Sequence, residues 1–228
     1  MSDLEAEKAL AAKRAVDEIQ DGMLVGLGTG STANYVLKYL GKRVAAGLRI
    51  TAVPTSRMTE ALARELAVPL VAFGGLSSVD LTIDGADEID QNLQAIKGGG
   101  GALLREKVIA AASARVIAVV DSSKVVRRLG RFPLPVEVFP FAAEFVGARL
   151  ADLGVPVSLR LQNDDPLLTD HGNHILDVAF GVITDPQQTA LAIAAIPGVA
   201  AHSLFLSEID TIIVGRDGAV DVRHADRS

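Results

Sequence analysis

Apolar positions along the first 125 residues alternate between two periods. Residues 3–20 set Leu4, Leu10, Val16 and Ile19 among Ala, Lys and Glu, the pattern of an amphipathic helix that Asp21-Gly22 ends. MLVGLG is a short continuous apolar run, read as a buried strand, and ANYVLKYLGKRVAAG after it reads as a helix. The alternation continues with LRITAVPTS (strand), RMTEALARELA (helix), LVAF (strand, before Gly74-Gly75), LTID (strand), ALLREKVIAAASA (helix) and RVIAVVDSSK (strand). Strands and helices taking turns in this way predict βαβ units and a parallel sheet wrapped on both faces.

The texture changes at Phe132-Pro133-Leu134-Pro135. VEVFP, PVSLRLQ, HILDVAF and VAAHSLFL read as strands, FAAEFVGARLADLG and DPQQTALAIAAIPG as helices, and NDDP as a turn. Their order is βαββαβ, the ferredoxin-like split unit. DTIIVG and AVDVRH, joined by Arg216-Asp217-Gly218, are two further strands that need a host sheet, and the first domain supplies one. The expected fold class is α/β: a Rossmann-like parallel-sheet domain (1–130 plus 206–228) with an inserted, smaller ferredoxin-like α+β domain (131–205).

Composition narrows the function. The chain has no cysteine, which removes disulfides, zinc-thiolate sites and thiol nucleophiles together. A net charge of −6 argues against a basic nucleic-acid surface. No apolar run approaches the ~20 residues of a membrane span. The start, MSDLEAEKALAAKRAV, alternates acids and bases without a signal-peptide core, so a cytoplasmic location and no membrane partner are expected.

Chemistry concentrates after the predicted strands, where open α/β sheets bind ligands. GLGTGST joins a strand to a helix, so its glycines, the helix-start amides and the hydroxyls of Thr29, Ser31 and Thr32 suit a phosphate, although a capped tight turn has the same pattern. No lysine stands in the Walker position before Ser31, and the second strand ends in Pro-Thr-Ser without a ribose-gripping acid, so no nicotinamide cofactor is expected. In DGADEID, the carboxylates Asp84, Asp87, Glu88 and Asp90 fit sugar hydroxyls, proton exchange between oxygens, Mg²⁺, or simply a solvated acidic turn. KGGGG is harder to explain as scaffold, because consecutive glycines cost backbone entropy and pack nothing; their amides with Lys97 suit an anion. Beside that loop Glu106 reads as a base, and Lys124 ends the last strand of the first half. His171, His174, His202 and His224 fall late and read as structural or surface groups.

Taken together, GLGTGST, TIDGADEID, IKGGGGALLREK, the Asp-Ser-Ser-Lys at 121–124 and FPLPVEVFPF, with a weaker match in LLTDHGNHILD, closely resemble type A ribose-5-phosphate isomerases across essentially the whole chain. Two mild departures are Gly101, where many relatives have Ala, and His171, where Asn is common. The resemblance implies a cofactor-free, metal-free interconversion of ribose 5-phosphate and ribulose 5-phosphate in the pentose phosphate pathway, by a homodimer or homotetramer whose partner is a small-molecule sugar phosphate. It implies Glu106 as proton acceptor. Substrate would be bound by Thr29, Gly30, Ser31, Thr32, Asp84, Gly85, Ala86, Asp87, Lys97, Gly98, Gly99, Gly100 and Lys124, with Lys8 assisting the phosphate. Lys97 and the glycine amides would stabilise the enediolate, and Asp84 or Asp87 would open the furanose ring. Competing readings on such a fold are a sugar-phosphate sensor, an acyl-CoA transferase with a glutamyl thioester, and an amino-sugar phosphate isomerase that releases ammonia.

Overall fold

The structure is a computed structural model that describes residues 3–225. It divides into two compact units: Met1–Ala86 with Arg105–Val125 and Ser207–Ser228, and Asp87–Leu104 with Val126–Leu206.

The first unit is built on a six-stranded sheet. In spatial order its strands are Ala219–His224, Thr211–Arg216, Val116–Asp121, Leu81–Asp84, Leu24–Leu27 and Thr51–Pro54. All neighbours run parallel except the edge hairpin Thr211–Arg216 with Ala219–His224. The two strands read from DTIIVG and AVDVRH thus join the sheet expected to host them, with Thr211 opposite Ile117. The Leu24–Leu27 strand has its successor on one side and Leu81–Asp84 on the other, so the strand order reverses beside it. That reversal is where the crevice of an open α/β sheet forms.

Helix α1 (Leu4–Val16) starts at Asp3, whose carboxylate accepts the amides of Glu5 and Ala6, and it packs its small residues inward. Of the apolar positions in the pattern, Val16 and Ile19 are buried and Leu4 is exposed, and Ala11, Ala12 and Ala15 make up much of the buried face. Small side chains let the helix backbone come close to the sheet. A Cβ on Gly215 would stand 2.0 Å from the carbonyl oxygen of Glu7. Helix α2 (Ser31–Ala45) buries Val36, Leu37 and Leu40 at helical spacing, and α3 (Arg57–Glu65) follows Ser56, whose hydroxyl caps it by accepting the Thr59 amide. The LVAF segment is not a strand: it makes a single bridge, Leu70 to Ala52, before the chain turns away at Phe73 to Leu76.

In the second unit the βαββαβ order appears as expected. Strands Leu134–Val138, Val157–Leu159, His174–Val178 and Val199–His202 form an antiparallel sheet, with α5 (Ala143–Ala151) and α6 (Pro186–Ala194) as its crossovers. Leu134, Val136, Val138, Leu176, Val178, Val146, Leu150 and Ile193 make its core. Two expected strands are split. PVSLRLQ gives Val157–Leu159 and then Leu161–Gln162, which pairs with Asp165–Pro166 across Asn163 and Asp164, both at positive φ. VAAHSLFL gives Val199–His202 and then Leu204–Phe205, which joins a different, three-stranded sheet with Glu88–Ile89 and Ala95–Ile96. That small sheet was not expected, because its strands are only two residues long. Helix α4 (Leu103–Ala111) spans Leu104 and Arg105, where the chain passes from the second unit to the first.

The close seat of α1 on the Thr211–Arg216 strand sets a stability test. Gly215→Ala puts a methyl into the backbone of α1, and overpacking of this kind costs about 3 kcal/mol. The urea midpoint should fall with the slope unchanged; a midpoint equal to that of the parent would mean α1 is not packed this closely.

Candidate active site

In the first unit, the residues after the parallel strands are drawn together by Asp84. The residue is 3% exposed, and its carboxylate accepts the amides of Thr29 (3.1 Å) and Gly85 (2.7 Å) through Oδ1. The approach depends on Gly28, where a Cβ would lie 2.0 Å from that same oxygen and 2.5 Å from the Asp84 Cα. The Thr29 hydroxyl enters a buried cluster with Thr55 (2.8 Å), Ser56 (2.8 Å) and Thr59 (3.1 Å), and Thr59 donates to the Gly28 carbonyl at 2.8 Å. Thr29 is therefore committed, amide and hydroxyl, to holding its own loop. The sequence pattern marked Thr55 and Ser56 only as the end of a strand, and it did not mark Thr59 at all; hydroxyls this far apart in sequence carry no local signature.

What the loop presents is the start of α2. Gly30 is its N-cap at φ 120 and ψ 178, no side chain caps it, and its first turn holds no acid. Uncapped amides at the positive end of a helix suit a phosphate dianion. Ser31 is exposed there and Thr32 is buried.

Lys124 closes a single 3₁₀ turn, Ser122–Lys124, capped by Asp121, whose Oδ1 accepts the Ser123 amide at 3.0 Å and the Ser123 hydroxyl. Glu7 of α1 fastens the same turn. Its buried carboxylate accepts the Ser122 amide at 2.9 Å and the Asp217 amide at 3.3 Å. The Ser122 hydroxyl and these amides hold the Glu7 carboxyl below the ordinary glutamate range, although burial pushes it up. Lys8, next along α1, pairs with Glu5 at 2.6 Å. Glu106 lies in the first turn of α4 at 3% exposure, and its neighbour Lys107 pairs with Glu208 at 3.2 Å. A carboxylate this buried on the first turn of a helix is a costly scaffold element and a good candidate base.

In the second unit the acidic run separates into different tasks. Glu88, fully buried, accepts the amides of Gly130 and Phe132, both at 2.8 Å. Asp90 caps the turn after it, taking the amides of Asn92 (2.8 Å) and Gln94 (3.0 Å), and burial raises its pKa against those two bonds. Both are turn-builders. Their hairpin carries Ala95–Ile96 into Lys97, whose amide donates to the Ser203 carbonyl at 3.1 Å. The Lys97 ammonium lies 5.4 Å from the centre of the Phe205 ring, and the residue is 4% exposed. An ammonium over an aromatic face is attracted by the ring quadrupole.

The glycine loop follows. Gly98 has φ 81, and a Cβ there would sit 2.6 Å from the Leu103 Cβ, so no other residue fits. The Gly99 amide donates to Asp87 Oδ2 at 2.7 Å and the Gly101 amide to the Gly98 carbonyl at 3.0 Å. The protein's own carboxylate thus meets one of the amides expected to form an anion nest. From the other side, Arg160 donates to the carbonyls of Gly98 (3.1 Å) and Gly99 (3.0 Å). Arg160 was not read from the sequence, since it stands far along the chain with no motif around it. In the weaker motif LLTDHGNHILD, Thr169 and Asn173 both donate to the buried Glu137 at 2.9 Å, and His171 is exposed.

The first unit thus carries Thr29 to Thr32, Asp84 to Ala86, Glu106 and Lys124, while the second carries Asp87 and Lys97 to Gly100. Among the described residues no group of three or more His, Asp or Glu is arranged to hold a metal ion, and no helix is long and apolar enough to cross a membrane.

A family model for ribose 5-phosphate isomerase A (phosphoriboisomerase A) matches residues 51–218. The ribose-5-phosphate isomerase A of Sphingopyxis alaskensis is 64% identical over 224 residues, covering 98% of each chain. Among solved structures, a ribose 5-phosphate isomerase from Plasmodium falciparum superposes at TM-score 0.94 with 36% identity, covering 99% of this chain and 100% of that one. A D-ribose-5-phosphate isomerase solved in complex with phospho-erythronic acid does so at TM-score 0.94 with 37% identity, covering 98% and 100%.

The Glu7 carboxylate gives a pH prediction. Its folded pKa lies below the unfolded one, so its bonds stabilise the protein above the ordinary glutamate range and are lost as pH falls through the folded pKa. Urea midpoints taken from about pH 6 to 3 should therefore drop less steeply for Glu7→Gln than for the parent. Parallel pH curves would remove Glu7 from the acid transition.

Proposed function

This chain belongs to the ribose-5-phosphate isomerase A family and interconverts ribose 5-phosphate and ribulose 5-phosphate; we propose that Glu106 moves the proton between C1 and C2. The observation that carries this assignment is a glutamate 3% exposed in the first turn of a helix, directly after the KGGGG loop in the chain. In the open-chain aldose, the Glu106 carboxylate takes the C2 proton, and the C1 carbonyl oxygen receives the electron pair as an enediolate. The same proton returns to C1, and the hydroxyl proton passes from O2 to O1. The aldehyde carbon is reduced as its neighbour is oxidised, so the balance needs no external redox carrier and no cofactor.

An unassisted carboxylate is too weak a base for such a carbon acid, so the enediolate oxygen must be stabilised as it forms. Lys97, buried and held over Phe205, supplies a full charge, and the glycine loop supplies backbone N–H groups. The phosphate goes to the uncapped start of α2 at Gly30, Ser31 and Thr32, with Lys124 as its cation and Lys8 as a second. Asp84 to Asp87 meet the sugar oxygens, and ring opening falls to Asp84 or Asp87. Thr29 serves by keeping its loop in place. The solved relative in complex with phospho-erythronic acid supports a phosphorylated sugar acid as a fitting ligand class. The chemistry uses no metal. A homodimer or homotetramer in the cytoplasm completes the reading by family likeness, and sedimentation equilibrium decides the subunit count.

Glu106→Gln keeps the size of the side chain and removes the base. Its kcat should fall by about 10³-fold with KM little changed, the scale of a lost general base. Turnover near that of the parent would remove Glu106 as the proton carrier. The parent assayed with EDTA should keep its rate; loss on chelation and recovery with Mg²⁺ would make the acidic run a metal site.

A further inference from the structure

Arg160 is held on every side that could let it move. Its backbone N–H donates to the Ile175 carbonyl at 2.8 Å, and its carbonyl accepts from Leu167 at 2.9 Å. The guanidinium pairs with Asp177 through Nε (2.9 Å to Oδ2) and through Nη2 to Oδ1, at a side-chain exposure of 14%. That leaves Nη1, which donates to the carbonyls of both Gly98 and Gly99. A planar fork with one edge on a carboxylate and another arm on two carbonyls has little rotational freedom.

The consequence lies on the far side of those peptide groups. In a trans peptide the C=O and N–H point in opposite directions, and the described residues contain no cis bond. By taking the carbonyl ends of the 98–99 and 99–100 peptide units, Arg160 turns the N–H groups of Gly99 and Gly100 the other way. The Gly99 N–H is met there by Asp87. A hydrogen bond at the carbonyl also polarises the N–H of the same unit and strengthens it as a donor. Glycines have no side chain to hold this orientation themselves, so the aim of these dipoles is set from outside the loop.

We propose that Arg160 is a positioning residue for the isomerisation: locked by Asp177, it aims the Gly100 N–H, together with the Lys97 ammonium, at the oxygen that becomes negative in the enediolate. The inference rests on the reading of the KGGGG loop as the oxyanion-stabilising element. Arg160 itself touches no reacting atom.

The test uses the full chain with steady-state kinetics and two inhibitors. Phospho-erythronic acid, whose carboxylate mimics the enediolate oxygens, reports on the loop, and inorganic phosphate reports on the phosphate position. For Arg160→Met, kcat should fall by about 100-fold with KM within about threefold, the cost of a misplaced catalytic group. Its inhibition constant for phospho-erythronic acid should rise by a similar factor, while that for inorganic phosphate stays put. Asp177→Asn, which keeps the shape of the partner, should show the same pattern at about tenfold and carries the test if Arg160→Met does not fold. An inhibition constant for phospho-erythronic acid unchanged in both variants overturns the proposal, whatever happens to kcat, because a smaller folded fraction lowers turnover without altering that constant. Lys97→Met separates the two levels: if it keeps full turnover, the loop is not the oxyanion site and both readings fall. If it loses turnover while Arg160→Met does not, only the role of Arg160 falls.

Discussion

The first unit depends on how closely two parallel strands end beside each other where the strand order reverses. Asp84 closes that gap by accepting the Thr29 and Gly85 amides, and Gly28 leaves room for it to do so. The four buried hydroxyls of Thr29, Thr55, Ser56 and Thr59 then tie the ends of the Leu24–Leu27 and Thr51–Pro54 strands to the start of α3. This network is spent on the loop itself, and no side chain caps the amides at the start of α2. A glycine N-cap is the economical choice there, because a Ser or Asp in its place would satisfy those amides internally.

The same device recurs through the chain. Glu7 holds the turn that ends in Lys124, Glu88 holds Gly130 and Phe132, Asp87 holds Gly99, and Asp90 holds the turn into Ala95. A carboxylate accepting backbone amides makes bonds roughly twice as strong as neutral ones and points the chain in one direction. Many of the acids that look like chemistry in a sequence are therefore anchors in the fold. Glu106 and Lys97, at 3% and 4% exposure, remain candidates for chemistry.

Legibility followed the range of the signal. The βαβ alternation, the βαββαβ order and the return of the last two strands to the first sheet were readable, because each rests on hydrophobic period and turn residues close in the chain. LVAF failed as a strand because an apolar run of that length has no period of its own. The three-stranded sheet of Glu88–Ile89, Ala95–Ile96 and Leu204–Phe205 was invisible, since two-residue strands are defined by their partners. The motifs located the glycine loops and Glu106. The acidic cluster taken by itself did not separate Glu88 and Asp90 from Asp84 and Asp87, and no motif pointed to Arg160 or Thr59, whose contacts lie many residues away.

The glycine loop shows why such distant partners are needed. Four consecutive glycines have more conformations to lose than any other tetrapeptide, so a loop that must present dipoles in fixed directions cannot hold itself. Here a cation takes the carbonyl end of the 98–99 peptide unit and an anion takes its N–H end. Opposite charges at opposite ends of one dipole resist its rotation in both senses, which neither would do alone. Bare backbone brings close approach to a substrate, and Arg160 and Asp87 restore the order that the missing side chains give up. Preorganised dipoles of this kind need not reorient as charge develops, and that is the condition under which backbone N–H groups assist a weak base.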